Sequence, residues 1–284
     1  MTRNKKLLWA LLFLAPAIIS VIILRLWPAL MALHESLLAP RASTYSFENY
    51  TYIFSDPVFR GSLWTTLFYS VIVNPLQIAV ALGLALLMNN KLPTTGFWRT
   101  LILLPVAIPQ SVSAVVWSVG FRPDGLINAL LGMFGIGEQR FLTSPEQALA
   151  CIIIMVSWVG VGYWMTFLIA GLQDIPKSLY EAVTIDGANS WQRFRYVTLP
   201  QLRRPLTFVL VADTVANFLV FAPVQILTKG GPQGSTNLIM NEVYTRAFLS
   251  GDKGSAAAAT VVLVLMVLII VLLQFRLMSD KGAD

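Results

Sequence analysis

The chain has one histidine, His34, and one cysteine, Cys151, in 284 residues. A single cysteine closes no internal disulfide, and a single histidine with no neighbouring ligands makes no metal site. Charge is scarce: Asp, Glu, Lys and Arg make up 12% of the chain, about half of what a soluble domain carries. There is no Walker A pattern, no nucleophile elbow and no zinc motif, so no recognisable site for ATP or for hydrolytic chemistry lies on this chain. The net charge of +6 is not gathered into a basic cluster interleaved with exposed aromatics. Nucleic acid is therefore excluded as a partner.

Apolar sequence fills the place of charge. Hydrophobic residues make up 56% of the chain, and the mean hydropathy is +0.70. Six runs approach the ~20 residues that cross a bilayer, at about 7–34, 61–88, 100–120, 148–171, 206–228 and 255–275. Lipid leaves backbone groups unsatisfied in any open structure, so each span is expected to be helical and the chain to be an all-α integral membrane protein with one domain over 1–284. The first run is too long for a cleaved signal and lacks a small-residue cleavage site, so it counts as a span. Pro105 and Pro109 interrupt the third, which is expected to kink or to enter the membrane late. Cys151 opens the fourth as a buried, inert thiol.

Lysine and arginine set the orientation. Arg3, Lys5, Lys6, Lys91, Arg99, Lys177, Arg193, Arg195, Arg203, Arg204, Arg276 and Lys281 fall in one set of termini and loops. The other set is longer and holds Arg41, Arg60, Arg122, Arg140, Lys229, Arg246 and Lys253. The richer set is expected on the cytoplasmic side, which places both termini and the 172–204 loop inside.

That loop contains a polar island, EAVTIDGANSWQRFRYVTLPQLRRP, at 181–205. Pro176 fits the first turn of a helix. Leu179, Ala182 and Val183 then form one apolar face. Gly187 can take a left-handed conformation and end that helix. Ser190 is placed to cap a second helix that carries Trp191, Phe194 and Val197 inward, with Pro200 and Pro205 stopping it. The expected product is a rigid knob of two short helices at an angle. Glu181, Ala182, Asp186, Gly187, Ala188, Phe194, Leu199 and Pro200 stand at the positions of a known pattern: E-A-A, D-G-A, an aromatic seven residues after the glycine, then L-P. With Val183 in place of the third alanine, this loop resembles the cytoplasmic signature of permease subunits in binding-protein-dependent ABC importers.

A second resemblance lies in the last outer loop, LTKGGPQGSTNLIMNEVYTRAF at 227–248. Leu227, Thr228, Gly230, Gly231, Pro232, Thr236, Tyr244, Ala247 and Phe248 match the L-T-x-G-G-P, T and Y-x-x-A-F residues of the carbohydrate-uptake branch, and of its maltose- and glycerol-phosphate-type first permease. Gly-Gly-Pro forces a sharp turn where the fifth span ends. A short amphipathic segment ending in Tyr244 and Phe248 can then lie at the interface. The likeness extends from about residue 60 to 275.

The resemblance implies the six-span type I importer permease fold with a coupling-helix loop, in the inner membrane of a bacterium. It implies a second homologous permease, two ATPase subunits carrying ATP and Mg, and a periplasmic binding protein that delivers a sugar or sugar derivative. The knob would dock on one ATPase through Glu181, Ala182, Asp186 and Gly187, although Glu181 and Asp186 serve equally well at local helix ends. No cofactor binds this subunit directly, and it has no catalytic site of its own.

Asp213 stands out inside the fifth span. Nine residues past Arg204, it sits roughly 13 Å into the core at 1.5 Å per residue. An unpartnered carboxylate there costs about 2.5–3.5 kcal/mol or more, so it should face a wet cavity or a partner. Asn217 and Phe221 follow at i+4 and i+8. A carboxylate, an amide and an aromatic suit a polyol; pairing with the partner permease fits Asp213 equally. Trp158 and Tyr163 in the fourth span are further candidates for the path. An importer permease for another solute is the alternative, disfavoured by the Gly-Gly-Pro loop. A secondary transporter is a more distant one, since it should show internal repeats and paired broken helices.

Overall fold

A computed structural model describes residues 3–39, 44–90 and 93–278; Arg41, Lys91 and Lys281 of the charge count lie outside them. Helix α1 (Arg3–Val21) passes through one π-helical turn, Ile22–Leu26, into α2 (Trp27–Ser36). A short α3 (Glu48–Ser55) precedes α4 (Pro57–Met88), which opens on a proline whose missing N–H costs a helix start nothing. Next come α5 (Thr95–Leu103), a 3-10 turn over Leu104–Ala107, and α6 (Gln110–Gly120). Helix α7 (Leu126–Met133) lies in the following loop, and α8 (Ala148–Gln173) is the fourth apolar element. The polar island folds as α9 (Lys177–Ile185), α10 (Ser190–Arg193), a π-helical turn Phe194–Thr198 and α11 (Leu199–Gln201). Helices α12 (Arg203–Phe218), α13 (Ala222–Leu227), α14 (Ile239–Tyr244) and α15 (Lys253–Met278) complete the chain. Among the described residues the only β pairing is an isolated bridge, Leu38 with Tyr45.

Five helical stretches are long and apolar enough to span: Leu11–Ser36, Pro57–Met88, Ala148–Gln173, Arg203–Leu227 and Lys253–Met278. The third expected span is different. Thr95–Ala107 and Gln110–Gly120 meet at 98°. Proline explains the break: Ile108, just before Pro109, is held extended at ψ 128°, as the Pro ring demands of its predecessor. The fifth span is also interrupted, because Leu219–Phe221 leave the helix between α12 and α13.

Two compact units are formed, Met1–Arg60 with Glu242–Val264, and Gly61–Asn241 with Leu265–Asp284. In the first, Asn49 Nδ2 donates to the Ser36 and Leu38 carbonyls at 3.0 and 2.8 Å, tying α3 to the end of α2. Arg246 is buried between Asp56 and Glu242, its guanidinium 5.7 Å from the ring centres of Tyr52 and Phe59. Burial works against that cation, but hydrogen bonds and charge from Asp56 and Glu242 outweigh it and hold its pKa above the ordinary arginine value.

Helix α8 is the post of the second unit. Toward its start, Ile152, Met155 and Val156 pack with Tyr69, Val73, Ala114, Val224 and Leu238. Toward its end, Met165, Leu168 and Leu172 pack with Ala81, Ala85, Leu202, Leu206 and Val209. Lipid tails are as apolar as leucine, so such helices hold together by close van der Waals contact. Gly162 provides one contact: a Cβ there would stand 2.4 Å from the Ile102 carbonyl oxygen.

Candidate coupling surface and substrate path

The knob begins with Pro176, which caps α9 in an extended conformation at ψ 131° and so precedes the first turn instead of occupying it. Gly187 ends the helix at φ +78°. Its N–H donates to Thr184 O at 3.1 Å, and the Ala188 N–H reaches Val183 O at 2.9 Å. That pair of bonds is a Schellman closure, which needs a residue without a Cβ at the left-handed position. Ser190, expected as the next cap, is the first helical residue; Asn189 is the cap. The Asn189 side chain accepts the Gln192 N–H at 2.9 Å, and the Gln192 side chain accepts the Asn189 N–H at 2.8 Å. Pro200 and Pro205 do not stop a helix. They lie in the first turns of α11 and α12, where proline is tolerated.

The side chains divide cleanly. Val197 is buried, and Tyr180, Val183 and Leu199 pack beside it onto the core formed by Leu168, Leu172, Leu202 and Leu206. The hydroxyls of Tyr180 and Thr198 are hydrogen-bonded at 3.0 Å, linking α9 to the π-helical turn. Trp191, expected to point inward, is 68% exposed, and Ile185 is 86% exposed. Phe194 is half-buried, its ring 5.6 Å from that of Trp191. Glu181, Ala182, Asp186 and Pro200 are exposed. Glu181 and Asp186 make no ion pair among the described residues.

Asp213 is 1% exposed and bonded within its own chain. Its Oδ1 accepts from Trp164 Nε1 at 2.6 Å and from Asn217 Nδ2 at 3.0 Å. Asn217 Nδ2 also reaches Asn74 Oδ1 at 2.8 Å, and its Oδ1 accepts from Tyr69 at 3.3 Å. Thr214 Oγ1 accepts from Asn74 at 3.1 Å and from Gln274 at 2.8 Å. The cluster therefore joins α4, α8, α12 and α15. Asp213 Oδ2 is buried without a partner. Phe221 is not on the same helical row: α12 ends at Phe218, and Phe221 stands in the break at φ −131°. Tyr163 stacks edge-on with Trp164 at 4.8 Å, which puts it one ring from Asp213. Trp158 instead pairs with Trp117 at 5.6 Å, outside the cluster. Trp164, Asn74, Tyr69, Thr214 and Gln274 are members that sequence alone does not single out; two amides three apart, Asn74 and Gln77, in an apolar run were the available signal.

The Gly-Gly-Pro loop closes on itself. Gly230 takes φ +87°, and Thr236 Oγ1 donates to Gly231 O at 2.7 Å while sharing a 2.7 Å bond with Thr228 Oγ1. Pro232 follows Gly231 in the turn, where the Ser235 N–H reaches Pro232 O at 3.0 Å. Beyond it, the Ile239 N–H donates to Thr66 Oγ1 at 2.8 Å, fixing the start of α14 to α4. Tyr244 and Phe248 lie ring to ring at 5.2 Å.

Apolar spans, an exposed knob between two of them and a buried polar cluster that ties those two to α4 and α15 define a polytopic membrane protein. The chain belongs to the family of binding-protein-dependent transport system inner membrane components, whose model matches residues 77–281. It is thus an ABC importer permease. It is 37% identical over 245 residues to the lactose transport system permease protein LacF of Rhizobium radiobacter, covering 84% of this chain and 82% of that one. It is 33% identical over 277 residues to the sn-glycerol-3-phosphate transport system permease protein UgpA of Agrobacterium fabrum, covering 95% and 94%. A crystal structure of a bacterial ABC transporter involved in the import of the acidic polysaccharide alginate matches with a TM-score of 0.83 at 23% identity, over 99% of this chain and 98% of that one. The fold is that of type I importer permeases.

Proposed function

We propose that this permease carries a sugar or sugar derivative (a glycoside, an oligosaccharide or a polyol phosphate) across the inner membrane. It forms half of a path completed by a second homologous permease. Two ATPase subunits holding ATP and Mg supply the work, and a periplasmic binding protein supplies the substrate. Both termini and the knob face the cytoplasm. The observation that carries the mechanism is the knob's construction: its backbone is locked from within, while Ile185, Trp191, Glu181 and Asp186 stay exposed for an ATPase surface. The knob connects α8 to α12 without slack, so a displacement imposed on it passes directly to the helices that carry Trp164 and Asp213. A bistable element biased by ATP in this way converts closure of the ATPases into a change of access. The relatives named for lactose and sn-glycerol-3-phosphate transport support the substrate class.

The test is reconstitution of the complete importer in vesicles with its binding protein. Uptake of glycosides, oligosaccharides and glycerol phosphate should depend on ATP and on the binding protein. Uptake of amino acids or polyamines in their place would replace the sugar reading with the alternative. ATP-independent uptake by this chain alone would overturn both.

A further inference from the structure

We propose that a basic cleft beside the knob binds the phosphate of an anionic phospholipid headgroup in the inner leaflet. The proposal rests on the reading of the 172–204 loop as cytoplasmic. The cleft holds about 500 Å3 and is lined in part by Asn89, Asn90, Arg99, Gln173, Lys177 and Tyr180. It lies where α4 ends, α5 begins, α8 ends and α9 begins.

Its charge is of one sign. Arg99 Nε and Nη2 donate to the Met88 carbonyl at 3.1 and 2.5 Å, which fixes the guanidinium and leaves Nη1 with no acceptor among the described residues. Among the described residues Lys177 makes no ion pair and no carboxylate lines the cleft. A braced guanidinium, an ammonium and three side-chain amides suit a phosphate diester, which accepts hydrogen bonds on its oxygens and carries one negative charge.

The surroundings select a lipid as its source. Phe97 and Trp98 are exposed on α5 next to Arg99, as are Leu101 on the same helix and Leu104 at the start of the 3-10 turn. Aromatics flanking a cation on a short helix are the composition of the membrane–water boundary. Basic pockets between helices on the cytoplasmic side take anionic headgroups. Because Tyr180 belongs to the knob, a bound headgroup touches α9 as well as the ends of α4 and α8. Headgroup occupancy thereby braces the knob against the spans that it moves.

The experiment is native mass spectrometry of the assembled importer in detergent, titrated with phosphatidylglycerol or phosphatidylcholine. The complex should retain phosphatidylglycerol in preference to phosphatidylcholine. Arg99→Gln and Lys177→Gln should each weaken that retention roughly fivefold, whereas Arg99→Lys should keep most of it, since the charge remains. Equal retention of the two lipids, or equal retention by wild type and the double Gln variant, would overturn the site. Displacement of phosphatidylglycerol by millimolar inorganic phosphate would assign the cleft to free phosphate and overturn the lipid. Labelling of Ser178→Cys by a membrane-impermeant reagent in sealed vesicles separates this proposal from the reading it rests on. Reaction from the outer side would overturn both, while reaction from the inner side with no lipid preference would remove the headgroup site alone.

Discussion

The knob at 177–201 and the cluster around Asp213 are both polar islands in an apolar chain, and they are built in opposite ways. The knob is held by local bonds to its own backbone: a Schellman closure at Gly187 and a capping box between the Asn189 and Gln192 side chains and main-chain N–H groups. Its outward side chains are left unengaged. The cluster is held by side chains from four helices, with Asp213 Oδ1 and Asn217 engaged and buried and Asp213 Oδ2 left without a partner. A segment that must meet another protein gains from geometry that does not consume its side chains. A cluster inside lipid must consume most of its own, because an unpaired polar group there has no water to turn to. Since α8 and α12 run from one to the other, the proposed coupling would make the knob a handle and the cluster what the handle moves.

The largest effect should come from breaking the handle's backbone. Gly187→Val places a β-branched residue at φ +78°, a conformation costing an L-residue about 1–2 kcal/mol or more. The closure is then lost and α10 is misdirected. Uptake and substrate-stimulated ATPase activity should fall at least about tenfold while the amount of protein in the membrane stays near normal. Unchanged transport would remove this loop from the ATPase interface.

The next effect should come from the cluster and should look different. Asp213→Ala leaves Trp164 Nε1 without its acceptor and removes one of those of Asn217, which keeps Asn74, at about 1–3 kcal/mol for a buried group left unpaired. The thermal midpoint of the purified complex should drop, uptake should fall, and docking of the ATPases should persist. Asp213→Asn retains an acceptor oxygen and should recover most of the stability. If its activity stays low despite that recovery, Asp213 contacts substrate; if the two permeases separate, it contacts the partner. A variant Asp213→Ala with wild-type melting and uptake would show that the cluster is neither.

The contrast also explains what the sequence revealed. Gly187 and the Gly-Gly-Pro turn are local needs of the backbone, and residue type announces them; the second cap, expected at Ser190, lies one residue earlier, at Asn189. Six spans followed from composition, and the break in the third from Pro105 and Pro109, though its 98° angle depends on packing. Trp191 came out exposed because the π-helical turn at Phe194–Thr198 changes the register that regular spacing assumes. Phe221 left its expected row because Leu219–Phe221 depart from the helix. Trp164 is 49 residues from Asp213, and no local pattern joins them. Long-range side-chain bonds are written only in the fold.

A smaller effect tests whether the exposed face is for docking. Trp191→Ala removes an exposed ring, so its stability cost should stay within about 0.5 kcal/mol. An aromatic buried at an interface is worth about 1–2 kcal/mol or more. ATPase subunits should therefore dissociate from the permease pair several-fold more readily, at unchanged melting temperature. A drop in melting without loss of ATPase subunits would make Trp191 a structural residue.

The smallest effect concerns the hydroxyl bond that links the two halves of the knob. Tyr180→Phe deletes a hydroxyl and nothing else, and with it the 3.0 Å bond to Thr198. Thr198 Oγ1 keeps a longer contact with the Arg193 carbonyl at 3.4 Å, so it is not fully orphaned. The cost should be about 0.5–1.5 kcal/mol. That is too little to unfold the knob, but the bond is the hydroxyl link between α9 and the turn that leads into α12. Its loss should let the two halves of the knob move apart slightly under load. The expected outcome is a fall of less than about threefold in uptake, with ATP hydrolysis nearly unchanged, so that substrate moved per ATP declines. Thr198→Val should have the same effect, and the double variant should be no worse than either single one, because both remove the same bond. Additive losses would mean that each hydroxyl acts elsewhere, and that the knob's rigidity is carried by its backbone closures alone.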